Sequence, residues 1–247
     1  MTGDGPPLVL VHGSPSEHTT FDSLVEELRH RVTTFALDRR GSGASGDRPE
    51  AYAIEREFDD VAAVIDAVAA RTGHPVTLFG HSYGANPAMG GATRTANLCG
   101  LVLYEPSFGL AYPPGAVDAI EKAVGAGDPG AAIWAALVGT GAATEEEFAA
   151  IRASPRWPRI VASAPTLPRE CRVEERWTYQ PGQFAAITAP TLMLTGSETP
   201  EAVAEATRRA AAAIPGATIR TLHGHGHFAH KADPALVAAI IVEFTGR

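Results

Sequence analysis

Cysteine, lysine and long apolar runs are all scarce in this chain, and each scarcity removes a class of protein. The 247 residues include two cysteines, Cys99 and Cys171, too few and too far apart for a disulfide framework and outside any C-x-x-C or metal-ligand spacing. Both read as small buried hydrophobes. Lysine occurs only at 122 and 231, the arginines are scattered, and the formal net charge is −8. That balance offers no basic patch, so neither nucleic acid nor an anionic membrane is expected as a partner. No apolar run approaches the span of a bilayer. The opening Met1-Thr-Gly-Asp-Gly-Pro-Pro7 lacks the basic and apolar regions of a signal peptide, which gives the expectation of a cytoplasmic protein. A metal signature, a phosphate-binding glycine loop and a dinucleotide fingerprint are also missing. Gly41-Ser-Gly-Ala-Ser-Gly46 opens too soon after Asp38 to be such a loop. No cofactor and no metal are implied, and nothing sets an oligomeric state.

What is present is the composition of an ordinary folded protein, 45% hydrophobic and 19% charged, at a length that suits one domain with an insertion. The apolar run Pro7–His12 reads as a strand buried on both faces, and Val32–Leu37, Val76–Phe79, Cys99–Tyr104, Pro190–Thr195 and Ala217–Leu222 read as further strands. Between them lie helical patterns: Phe21, Leu24, Val25 and Leu28; then Phe58, Val61, Ile65 and Val68 on one stripe over 55 to 71. A helix is expected over about 201 to 213, and the last one starts at the capping pair Asp233-Pro234. Strict alternation implies an α/β fold with parallel strands and helices on both faces. The rhythm breaks from about 107 to 186, where Ala-rich helical pieces carry Trp134, Trp157 and Trp177. The division expected is a core of 1–106 and 187–247 with a helical cap at 107–186.

The chemistry gathers at strand ends. Gly80-His-Ser-Tyr-Gly84 follows a β-branched apolar run and precedes small residues suited to a helix, the context that makes G-x-S-x-G a nucleophile elbow. The turn is tight enough to hold Ser82 in strained backbone geometry, and glycine at 80 and 84 leaves room for it. A serine hydroxyl needs a base, and the base needs an orienting acid. His227, in Gly224-His-Gly-His227 after the last strand, is the preferred base, with His225 and His230 as neighbours. For the acid, Glu198 in Gly196-Ser-Glu-Thr-Pro200 is preferred and Glu105, at the end of another strand, is the alternative. The backbone N–H groups of Tyr83 and of Ser14, in His12-Gly-Ser-Pro15, are expected to form the oxyanion hole. His12 is expected to fix that loop by hydrogen bonds, and Asp38 and Arg39 to tie down the loop beside it.

Taken together, His12-Gly13, Asp38-Arg-Arg-Gly41, Gly80–Gly84, Leu103-Tyr-Glu-Pro106, Pro190–Gly196 and Gly224–His227 resemble the α/β-hydrolase superfamily. The resemblance runs from about Gly5 to the C-terminus and is strongest to small-capped bacterial esterase and lactonase-like hydrolases. It implies a mostly parallel central sheet with a helical cap. Relatives often carry aspartate where Glu198 stands, and usually open with a β-hairpin; only six residues precede Pro7, so about six strands are expected unless the native chain is longer. Serine at 82 speaks against the alkyl-enzyme route of relatives that open epoxides or displace halide. The function expected is hydrolysis of a small, fairly apolar carboxylic ester, lactone or thioester through an acyl-enzyme on Ser82, with Trp134, Trp157, Trp177, Phe108 and Tyr112 as candidate pocket walls. The competing expectation is a non-hydrolytic protein on the same fold, a biosynthetic cyclase, a decarboxylase or a ligand-binding protein.

Overall fold

All five residues of Pro7–Val11 are buried, and they form β1, an interior strand of the sheet. The computed structural model of the protein describes residues 1–246. The chain continues through α1 (Asp22–Leu28), β2 (Thr33–Leu37), α2 (Ile54–Thr72), β3 (Val76–His81), α3 (Ala85–Ala92) and β4 (Leu98–Tyr104). Five helices follow, α4 (Ala116–Gly125), α5 (Pro129–Leu137), α6 (Glu145–Ala153), α7 (Trp157–Ser163) and α8 (Leu167–Arg176). Alternation then resumes with β5 (Thr191–Gly196), α9 (Glu201–Ala213), β6 (Thr218–Leu222), α10 (Ala229–Ala232) and α11 (Pro234–Thr245).

The six strands form one parallel sheet in the order β2-β1-β3-β4-β5-β6. The fold class and the strand number expected from the sequence both hold. The period of two along each strand builds the two sides of the core. Val9 and Val11 of β1, Leu78 of β3, Leu101 and Leu103 of β4 and Met193 of β5 pack with α2 and α3 on one face. Their neighbours Leu8, Leu10, Phe79, Val102, Leu192 and Leu194 pack with α1 and α11 on the other. Parallel strands buried on both faces require such continuous apolar runs.

Local chemistry fixes where elements stop. Ile54, Phe58, Val61, Ile65 and Val68 of α2 are buried at helical spacing, and the helix ends where Gly73 turns left-handed and donates its N–H to the Ala69 carbonyl at 2.8 Å. Asp233 caps α11 by accepting from the Leu236 N–H at 3.0 Å, with Pro234 in the first turn. The helices α4–α8 carry their own apolar cluster, including Val117, Ile120, Ile133, Leu137, Phe148 and Leu167. Among the described residues no helix is long and apolar enough to cross a membrane.

Candidate active site

The register of the sheet decides which residues meet. His81 of β3 is level with Tyr104 of β4, and Tyr104 is level with Leu194 of β5. Ser82 and Glu105 are therefore each one residue beyond the same sheet edge. They are also the described non-glycine residues with positive φ, 54° and 49°. A side chain held in that region is strained, and it persists where the surroundings over-determine it.

Close packing explains the elbow. A Cβ on Gly84 would lie 2.2 Å from the His12 carbonyl oxygen, and one on Gly13 would lie 2.8 Å from the Ser82 Cβ. Only bare backbone fits at these two points, where the loop after β1 passes against the elbow. That loop is held from behind by Arg39, whose Nε donates to the His12 carbonyl at 2.8 Å and whose Nη2 donates to Ser14 Oγ at 2.7 Å. His12 accepts the Arg39 N–H at Nε2 (3.1 Å), so its Nδ1 carries the proton given to the Gly13 carbonyl at 2.8 Å. Burial, helped by the Arg39 charge, pushes the His12 imidazole down to about 3. It is a neutral strut. Asp38 does similar work next door, accepting from the His18 and Ala44 N–H groups at 2.8 and 2.9 Å.

On the far side, Nδ1 of His227 lies 2.5 Å from Oε2 of Glu105. The other carboxylate oxygen, Oε1, accepts from the Gly196 N–H at 2.8 Å and from Thr199 Oγ1 at 2.5 Å. Glu105 is fully buried. Burial alone would raise its carboxyl, but the hydrogen bonds from His227, Thr199 and Gly196 outweigh it and hold the group below the usual carboxylate range. The loop carrying His227 is pinned by its own carbonyl, 2.9 Å from His81 Nε2, and by a hydrogen bond from the Tyr104 hydroxyl to the Gly226 carbonyl. With Nδ1 donating to Glu105, the Nε2 of His227 is left as the basic nitrogen.

The preference for Glu198 as the imidazole's partner is corrected by this geometry. Glu198 is exposed, and what it offers the histidine loop is its backbone, an N–H donated to the His225 carbonyl at 2.9 Å. The strand-end loop around Gly196 does support the pair, through the amide of Gly196 and the hydroxyl of Thr199. Of the other histidines, His225 faces Asp233 at 3.7 Å, and His230 is buried behind His81, with ring centroids 4.2 Å apart.

Two clefts converge on Ser82. One is lined by Ser14, Ser82 and His227 with Leu137, Ile160 and Lys231. The other, narrow, is lined by Ser14, Ser82, Tyr83, Glu105 and His227 and runs under α8 to Glu170 and Glu174. Of the aromatic residues considered as pocket walls, Tyr112 lines the second cleft. Trp177 instead stacks on Phe108 at 3.7 Å beside Phe58, Trp157 packs on Phe148, and Trp134 is 41% exposed. Glu170, Glu174 and Ser107 were not foreseen. The helical spacing of two glutamates four apart carries no signal that they face inward.

Among the described residues one group, Glu17, His18 and Asp38, brings possible metal-ligand atoms within 4.8 Å of one another. It lines neither cleft at Ser82. Its members already have partners, His18 Nδ1 on Asp38 Oδ1 at 2.8 Å and Arg159 on Glu17 at 3.5 Å.

Comparison with known proteins gives the same placement. A family model described as "Alpha/beta hydrolase family" matches residues 8–240. The chain is 28% identical over 253 residues to a 2-(acetamidomethylene)succinate hydrolase of Mesorhizobium japonicum, covering 98% of this chain and 88% of that protein. Among solved structures it resembles an alpha/beta hydrolase from Sphaerobacter thermophilus, with TM-score 0.84 and 32% identity over 99% of this chain and 94% of that one. It also resembles Est816, described as an N-acyl homoserine lactone degrading enzyme, with TM-score 0.75 and 25% identity over 98% and 94%. With the family model spanning nearly the whole sequence, the chain belongs to the alpha/beta hydrolase family and is a hydrolase.

Proposed function

We propose that the protein is a serine hydrolase that cleaves a small carboxylic ester, lactone or thioester through an acyl-enzyme on Ser82. The observation that carries this reading is the 2.5 Å contact between His227 Nδ1 and Glu105, in a protein whose Ser82 shares both cleft walls with that histidine. His227 Nε2 takes the Ser82 proton as Oγ attacks the acyl carbon. Glu105 keeps the imidazole in the tautomer that permits this and stabilises the imidazolium that forms. The tetrahedral oxyanion is received by the backbone N–H groups of Ser14 and Tyr83. His227 then protonates the departing alcohol or thiol, and the same steps in reverse with water release the acid.

The helices over 107–186 act as a cap, closing both clefts over Ser82. The lactone named for Est816 supports the acyl class. The succinate in the name of the Mesorhizobium relative is not carried over, because the deeper cleft here is lined by Glu170 and Glu174, which repel a second carboxylate.

A biotinylated fluorophosphonate tests the reading. Labelling mapped to Ser82 by peptide mass spectrometry, and turnover of p-nitrophenyl acetate that disappears in S82A, is the expected result. Folded protein that neither labels nor turns over any of a panel of short p-nitrophenyl and thioesters refutes it.

A further inference from the structure

The deeper cleft has a charge pattern that the hydrolytic machinery does not use. Glu170 and Glu174 project from α8, are buried to 0% and 5% exposure, and line the cleft that Ser82 and Tyr83 line. Both oxygens of Glu174 are engaged, one by the Ser107 hydroxyl and one by the Tyr112 hydroxyl. Glu170 is engaged at one oxygen only. Its Oε1 accepts from Arg39 Nη1 at 3.0 Å, and its Oε2, although buried, has no hydrogen-bond partner among the described residues.

The single buried guanidinium nearby is shared. Arg39 Nη1 also serves Glu57 at 2.9 Å, so three buried carboxyl groups at 57, 170 and 174 face one fixed positive charge. None of the residues lining the deeper cleft is lysine or arginine. A buried carboxylate left half unsatisfied, next to a second one, is costly unless a positive or proton-donating group arrives to meet it. Burial, with a smaller push from the Glu170 charge, raises the Glu174 carboxyl to about 7 against the pull of its hydroxyl donors. The two clefts at Ser82 differ accordingly. The one beside Leu137 and Ile160 suits an apolar portion of a substrate, and the one under α8 is acidic.

We propose that the cleft under α8 binds a primary ammonium group, so that the substrate is a small acyl compound carrying a protonated amine held by Glu170 and Glu174. This assignment rests on the hydrolase reading for the word substrate, while the ammonium site itself is a binding property that is measured without turnover. Three N–H donors of an ammonium match the free oxygen of Glu170 and the lone pairs remaining on Glu174. Ser82 lines the same cleft, which places that amine on the acyl portion or on the leaving group of the molecule being cleaved.

The test uses hexylammonium and its neutral counterpart hexanol as probes, titrated calorimetrically at neutral pH into the whole protein and into E170Q and E174Q. Hexylammonium is expected to bind at least about tenfold more tightly than hexanol to the wild type, and that advantage is expected to fall to about threefold or less in each variant. Equal affinities in the wild type overturn the proposal, and so does an advantage that both variants keep. If loss of the Arg39 contact leaves E170Q unfolded by circular dichroism, E174Q alone decides the matter. Kinetics on p-nitrophenyl esters of hexanoate and of ω-aminohexanoate then separate the two claims. Tight hexylammonium binding in a protein that hydrolyses neither ester sinks the hydrolase reading and keeps the ammonium site. Hydrolysis of both with no preference for the amine sinks the claim that the substrate carries an amine and keeps the hydrolase.

Discussion

Exchanging Glu105 for glutamine asks one side chain to do two incompatible things. The carboxylate accepts at both oxygens, from His227 Nδ1 on one side and from the Gly196 N–H and Thr199 hydroxyl on the other. An amide has one accepting oxygen and one donating nitrogen. If its oxygen stays with Gly196, its NH₂ faces His227, and the imidazole must present a bare Nδ1 and move its proton to Nε2. That tautomer cannot deprotonate Ser82. If its oxygen turns to His227 instead, a buried N–H donor at Gly196 meets another donor, costing about 1 to 3 kcal/mol in stability. Because the first arrangement spares the backbone, E105Q is expected to fold and to lose kcat by about a thousand- to ten-thousandfold, or ~4 to 5.5 kcal/mol of transition-state stabilisation. Glu198 is exposed and meets the histidine loop through its backbone, so E198Q should stay within about twofold of wild type. Stopped-flow turnover of p-nitrophenyl acetate, with near-ultraviolet circular dichroism to verify folding, decides between them. An E105Q enzyme within about tenfold of wild type, or an E198Q enzyme equally impaired, refutes the assignment of Glu105.

The same contacts predict how other perturbations behave. Glu105 is held below the usual carboxylate range in the folded protein, so it binds protons more readily unfolded. Its contribution to stability is present above about pH 4.3 and is lost as the pH falls through its folded value; acid titration followed by calorimetry should show a steeper decline for wild type than for E105Q. Glu174 runs the other way. With its carboxyl raised to about 7 from 4.5, the folded state holds the proton longer, and the penalty for ionising it builds as pH rises between those values. E174Q should therefore gain stability relative to wild type from pH 5 to pH 8, by up to about 3 kcal/mol; a constant difference across that range in urea melts counts against it. Gly84→Ala drives a methyl group to 2.2 Å from the His12 carbonyl oxygen, and a drop of about 6 to 12 °C in Tm is expected for a cost of about 3 kcal/mol. Trp134→Ala, on an exposed face away from both clefts, should leave kcat/KM within about twofold.

Most of the scaffold is legible because parallel strands leave a simple trace. A strand covered on both faces must be apolar throughout, so Pro7–Val11, Leu101–Tyr104 and Thr191–Leu194 stand out without help from anything distant. The helix over 201–213 is expected and found over the same residues, because its buried Val203, Ala206, Thr207 and Ala210 form one stripe. The elbow is legible for a related reason. The close approach at Gly80 is to Gly84, Ala85 and Ala88 just along the chain, so local spacing encodes it, while the approach of Gly84 to the Val11 and His12 carbonyls belongs to the fold. What local spacing does not encode is the inward turn of α8. Glu170 and Glu174 lie four apart on a helix rich in arginine and glutamate, the pattern of a solvated face. Only the partners at Arg39, Ser107 and Tyr112, far away in sequence, make their burial possible.

The carboxylate beside His227 is the instructive case, because both candidates follow a strand and only the true strand ends rank them. Ser82, on the strand next door, is one residue past its strand end. Glu105 is one residue past Tyr104, which the register sets level with His81. Glu198 is two residues past Gly196, the end of β5, and those residues already belong to a turn whose amides face inward. A side chain one step beyond a strand still stands at the sheet edge, where the next strand end brings its own loop over it. One two steps out has turned away with the loop. Measured from the strand ends in the structure, Glu105 like Ser82 is one step out and Glu198 is two; the apolar runs alone end at Phe79 and Thr195, which puts Ser82 and Glu198 equally three steps out and hides the difference. The positive φ shared by Ser82 and Glu105 follows from the same placement, since the chain must turn sharply upward at both points to present a side chain to the histidine loop rather than continue along the sheet.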